Sequence, residues 1–154
     1  MKQLEEKMME LNAKLPALPE GLKAFIANIL WIITIISIVL NILAILAICG
    51  IGTVGGLITL GTGHGLLTIK LILTILAGVI GMGITVVLEI TAVKPLKDKQ
   101  YRGWAIAFLV VWLQFLFSVI SHIFFKPVDL IWTAIWTAIS LYLLMQVREY
   151  FVNQ

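Results

Sequence analysis

The stretch AFIANILWIITIISIVLNILAILAICGIGTVGGLITLGTGHGLLTIKLILTILAGVIGMGITVVLEITAV, Ala24 to Val93, runs for seventy residues with two formal charges, Lys70 and Glu89, and one glycine-rich interruption. A transmembrane helix needs about 20 apolar residues to cross roughly 30 Å of hydrocarbon, and each half of this stretch exceeds that. It reads as two consecutive membrane spans. Composition agrees: of 154 residues, 61% are hydrophobic and 12% charged, with a mean hydropathy of +1.08, whereas charged residues approach about 25% in soluble domains. A soluble core cannot absorb that excess. The length allows one compact domain of a few helices and no separate soluble domain.

Working outward, hydropathy predicts an all-α, integral membrane four-helix bundle over 24–154, with spans near 24–49, 66–93, 104–125 and 129–147. Residues 1–23 form a different segment. Leu4, Met8, Leu11 and Leu15 fall at helical spacing among Glu5, Glu6, Lys7, Glu10 and Lys14, which predicts a short amphipathic helix lying on the membrane surface. Pro16 and Pro19 then interrupt it. The mixed charge of this tail, the length of the apolar run and the lack of a small-x-small site argue against a signal peptide. The lone Cys49 has no partner for an internal disulfide.

Basic residues predict the orientation. Four lysines up to Lys23, then Lys94, Lys97, Lys99, Arg102 and Arg148, share one side of a four-span layout; Lys126 and Lys70 lie toward the other. By the positive-inside rule this nine-to-two division puts both termini in the cytoplasm. The basic residues set topology rather than a nucleic-acid interface, so the lipid bilayer is the expected partner and nucleic acid is not. Lys70 and Glu89 are nineteen residues apart, roughly 28 Å of helix, and so read as interfacial anchors at opposite boundaries, with Glu89 reaching headgroups. Tyr101, Trp104 and Tyr150 at one boundary and Trp132 at the other supply aromatic belts.

Each span carries a stripe of small or polar residues at helical spacing. Thr34, Ser37, Asn41 and Ala44 form the first, Thr74, Gly78, Gly81 and Thr85 the second, and Thr133, Thr137 and Ser140 the fourth. Such faces pack helix on helix, because small residues admit close approach and hydroxyls bond across the contact. The third stripe, Gln114, Ser118, Ser121 and His122, reads either as packing or as a polar pathway. With Lys70 and Glu89 both assigned to the boundaries, no charge near the midplane supports ion coupling.

Gly50 to Gly65 reads as a flexible or partly re-entrant outer loop. Its Gly50-Ile51-Gly52-Thr53-Val54-Gly55 matches GxGxxG in letters, yet it follows a membrane span rather than a strand, so nucleotide binding is not implied. Thr53-Val54-Gly55-Gly56 lacks the ending of a potassium filter. His64, His122 and Asp129 fall on the same outer side but show no metal-ligand spacing. No metal and no cofactor is expected, and nothing forms a catalytic constellation.

The run Tyr101-Arg102-Gly103-Trp104, followed by a span, a short break and a last span ending Leu141-Tyr142-Leu143-Leu144-Met145-Gln146-Val147-Arg148-Glu149-Tyr150, resembles a family of small uncharacterised bacterial four-span proteins. These share a basic-Gly-Trp lead-in to the third span and a closing Tyr-Leu-Leu-x-Gln-x-basic-x-Tyr, with Met145 standing where phenylalanine is commoner. The resemblance covers roughly the last third of the chain; it implies four-span topology and a bacterial plasma or photosynthetic membrane, and assigns no functional residues. The expected function is a non-enzymatic accessory or structural subunit in a homo-oligomer or larger membrane complex. A small-solute transporter or channel subunit, and a haem or pigment binder, are the alternatives.

Overall fold

The computed structural model describes residues 2–61, 65–123 and 127–152, which form six helices, with no strand among the described residues. They are α1 (Lys2–Asn12), α2 (Glu20–Gly61), α3 (Gly65–Lys97), α4 (Tyr101–Ile123), α5 (Pro127–Gln146) and α6 (Glu149–Val152). The expected all-α class holds. Glu20–Gly50, Gly78–Lys97 and Tyr101–Ile120 are each long and apolar enough to cross a membrane, and the apolar Leu130–Gln146 is shorter. By length and composition the chain is an integral membrane protein.

In place of an outer loop at Gly50 to Gly65, α2 continues as one helix of 42 residues to Gly61, and α3 begins at Gly65. In an apolar layer the backbone must bond to itself, and a helix does so even through glycines, whose helix propensity is poor in water. At the next reversal, Pro127 opens α5, where its missing N–H is no loss.

α2, α3, α4 and α5 pack in chain order and alternate in direction, so the start of α2, the α3–α4 turn and the end of α5 meet at one end. This is the basic end. There the Lys23 ammonium pairs with Glu20 at 2.9 Å and Glu149 at 3.2 Å, Lys99 bonds to Asn28, and Tyr150 donates to the Glu20 carboxylate. Rather than lying only on a membrane surface, α1 docks on this end. The buried Glu5 pairs with Arg148 at 2.6 Å and accepts the Tyr101 hydroxyl at 2.8 Å. Met8 and Met9 pack against the core, while Leu11 and Leu15 stay exposed.

The tightly packed core lies toward the basic end: Ala27, Ala92, Leu96, Trp104, Phe108, Leu141, Leu144 and Phe151 are its centre. The α3–α4 turn locks it. Lys99 adopts a φ of 55°, the left-handed conformation common at helix ends, and Gln100 N–H donates to Pro95 O at 2.8 Å. This brings α4 onto the end of α3 so closely that a Cβ at Gly103 would stand 2.5 Å from Leu96 N and 2.7 Å from Pro95 C. Backbone cannot yield there as a side chain can. Gly103→Ala is expected to lower stability by about 1–3 kcal/mol, read by thermal melting in detergent. Gly83→Ala, with nothing within 4 Å of the added carbon, should leave the melting temperature unchanged or slightly raised.

Candidate functional site

Beyond the packed core, about one helical turn before Ala92 on α3, stands Glu89. Its sequence position suggests an interfacial anchor, but the side chain turns into the bundle and the residue is 4% exposed. Three neutral donors receive it. Ser37 Oγ donates to Oε1 at 2.7 Å, Asn41 Nδ2 to Oε2 at 3.1 Å and Gln114 Nε2 to Oε1 at 3.5 Å. Asn41 Nδ2 also reaches Ser37 Oγ at 3.4 Å. The physical reason for the inward turn lies in this donor set: away from water, a carboxylate is tolerated only where hydrogen bonds replace those it loses.

The site is deep. Gln114 lies ten residues, about 15 Å of helix, beyond Trp104, and Ser37 fourteen residues, about 21 Å, beyond Lys23. On its own helix Glu89 lies five residues, about 7.5 Å, before Lys94, and its side chain turns into the bundle rather than outward. Among the described residues no lysine or arginine forms an ion pair with it; the three ion pairs all sit at the basic end.

Two cavities meet at this ring. One, of about 730 Å³, extends away from the basic end and is lined by Ser37, Asn41, Gln114, Gly78, Thr85 and apolar side chains such as Ile36 and Met82. The other, of about 240 Å³, lies against the packed core and is lined by Glu89, Thr34, Ser140, Leu144 and Val147, with Ser37 and Gln114 shared. Thr34 and Thr85, though buried, turn their hydroxyls back to Leu30 O and Met82 O of their own helices. They line the space without addressing the carboxylate.

The remaining stripe residues divide. Gly81 is a packing residue, since a Cβ there would meet the Phe117 ring at 2.7 Å, whereas Gly78 has nothing within 4 Å and opens onto the larger cavity. Ser118 bonds to Thr133 at 3.3 Å across α4 and α5. Thr137 and Ser140 line a third groove, between those helices, with Gln114 and Ser118. The side chains of Lys70, Thr74, Ser121, His122 and Asp129, and the whole of His64, lie outside the described residues.

Trp104 is a correction of another kind. Its ring points into the bundle rather than outward, 1% exposed, with Nε1–H donating to Leu144 O at 2.7 Å. Near the end of α5 the Arg148 N–H goes to Met145 O, leaving the Leu144 carbonyl for the indole. Tyr101 and Phe108 stack on the same ring, and the Arg148 guanidinium lies 5.6 Å above it. Tyr150 stays at the basic end, half-buried.

Among the described residues no group of three or more His, Cys, Asp or Glu could hold a metal ion. Compared with family models, with curated proteins and with solved structures, the chain matches none of them. The site therefore rests on its own chemistry. Its bonds differ in quality, and substitution is expected to show it: Asn41→Leu, which removes a 3.1 Å bond to the carboxylate, should cost about 1.5 kcal/mol or more, and Gln114→Leu, which removes the 3.5 Å one, about 1 kcal/mol or less, in detergent unfolding titrations.

Proposed function

We propose that this chain is a non-enzymatic small-solute transporter or channel subunit working at the Glu89 ring. One observation carries the reading: a buried carboxylate, bonded only by neutral groups, stands where a wide cavity from one side meets a narrow one backed by the core. Ionisable groups at such depth are costly and in membrane proteins mark ion or substrate pathways. The larger cavity reaches the ring from the side opposite the basic end, and the packed core closes the other. The excess of basic residues at the end carrying both termini supports a cytoplasmic location for that end, and the resemblance of the last third supports a bacterial plasma membrane. In proteoliposomes, a panel of small cations and neutral polar solutes should include at least one that crosses, with Glu89→Gln lowering its rate about tenfold or more and leaving the fold intact. Absence of flux for the whole panel would overturn the reading.

A second observation favours the accessory-subunit role. The groove between α4 and α5, about 460 Å³, presents Thr137 and Ser140 beside Trp132 and Trp136, which are 62% and 63% exposed. Hydroxyls at membrane depth are better covered by another helix than by lipid, and a second copy of the chain is the simplest source. In a Cys49→Ala background, Thr137→Cys should crosslink between copies in native membranes. Crosslinking to a different protein would instead indicate a larger complex, and no crosslink would count against either.

A further inference from the structure

We infer that Glu89, Ser37, Asn41 and Gln114 form a binding site for a monovalent metal cation of the sodium class. The inference deepens the transport reading of the same site, and rests on that reading only for what binding accomplishes.

Charge selects the valence. The ring holds one carboxylate and no described cationic side chain pairs with it, so a single positive charge neutralises it, whereas a divalent ion would leave a net charge buried in a medium that penalises it heavily. Ligand chemistry selects the kind of ion. The ring presents carboxylate, hydroxyl and carboxamide groups and neither imidazole nor thiolate, a set suited to hard cations and not to transition metals.

The neutral members can serve two states. Ser37 both donates and accepts, and each of Asn41 and Gln114 carries an amide N–H2 and a carbonyl oxygen that exchange places when the side-chain end rotates by half a turn. As donors they satisfy a bare carboxylate, which is the arrangement observed. As acceptors they add three oxygens to the two of Glu89, enough for most of the shell of a small alkali cation. A lysine or arginine in the ring could make no such exchange, because it has donors only. Access is present as well: Ser37, Asn41 and Gln114 line the 730 Å³ cavity, so an ion arriving there meets its ligands before it meets the packed core.

Carbodiimide labelling of the purified full-length chain in detergent tests this, because a hydrophobic carbodiimide modifies a protonated membrane carboxyl and a bound cation displaces that proton. At fixed pH and ionic strength, sodium at ten times its dissociation constant should slow modification of the Glu89 peptide, read by mass spectrometry, by about tenfold, while choline should not. In Asn41→Ala, whatever its labelling rate without sodium, the sodium concentration that halves that rate should rise about tenfold. Labelling indifferent to sodium, lithium and potassium would overturn the inference and leave the proton as the ring's only ligand. Should Glu89 not label at all, equilibrium binding of radiolabelled sodium decides: one ion per chain, lost in Glu89→Gln, supports the site, and equal binding by the two proteins overturns it. Sodium binding without flux in vesicles would keep this site and sink the transport reading; flux without sodium binding would do the reverse.

Discussion

The constraint on which the bundle depends is the disposal of one carboxylate in a layer without water. Glu89 takes donors from two other helices, Ser37 and Asn41 on α2 and Gln114 on α4, so satisfying it fixes the rotation of three helices about their own axes. Apolar packing alone would not do this. Isoleucine and leucine cover most of α2 on every side, and lipid is as apolar as a neighbouring helix. The ring is what distinguishes one face from another, and Gly81 against the Phe117 ring fixes the approach of α3 to α4 two turns further on.

The two ends of the bundle are built differently. At the basic end Trp104, Phe108, Leu144 and Phe151 fill the interior, the Gly103 backbone rests on Pro95 and Leu96, and α1 is fastened over the outside through Glu5 and Arg148. Further bonds hold the strap between α1 and α2: Tyr142 to Pro16 O at 2.7 Å, and Gln146 to both Asn12 and the Leu18 N–H. Away from that end α2, α3 and α4 leave an open groove between them in place of packed side chains. Glu89 sits at the boundary between the filled and unfilled halves.

Much of this fold was legible in the sequence, because length and hydropathy set helix class almost by themselves and the prolines at 16 and 19 mark where α1 must end. Rotation and register were not. Glycines from Gly50 to Gly65 suggested a loop, and a turn centred there would set Ser37 opposite Gly78. Instead α2 runs to Gly61 and α3 begins at Gly65; Ser37 lies twenty-four residues before the end of α2 and Glu89 twenty-four after the start of α3, which is why they meet. The same counting works at the next turn, where Gly81 and Phe117 are each eighteen residues from Lys99. The signal for the ring was thus present as Ser37 and Asn41 four residues apart on one face of α2, but it could be read only once the turn was placed. Trp104 was misread for a related reason: a tryptophan at the start of a span suits a headgroup layer equally well, and only the unclaimed carbonyl of Leu144 draws it inside.

The chain itself offers a control for the meaning of the ring. Among the described residues the other buried carboxylate, Glu5, is met by a guanidinium and a phenol, the arrangement expected where a charge is used to fasten one element to another. Arginine was therefore available to this fold as a partner for a buried acid. At Glu89 the partners are an alcohol and two amides, none of which cancels charge. If holding helices together were the only task, apolar side chains of similar volume would serve as well or better, since buried ionic groups usually gain little stability over hydrophobic replacements. Among the described residues, neutral donors bond the Glu89 carboxyl beside the groove that Ser37, Asn41 and Gln114 line, whereas a cation meets the Glu5 carboxyl where α1 is fastened to the bundle.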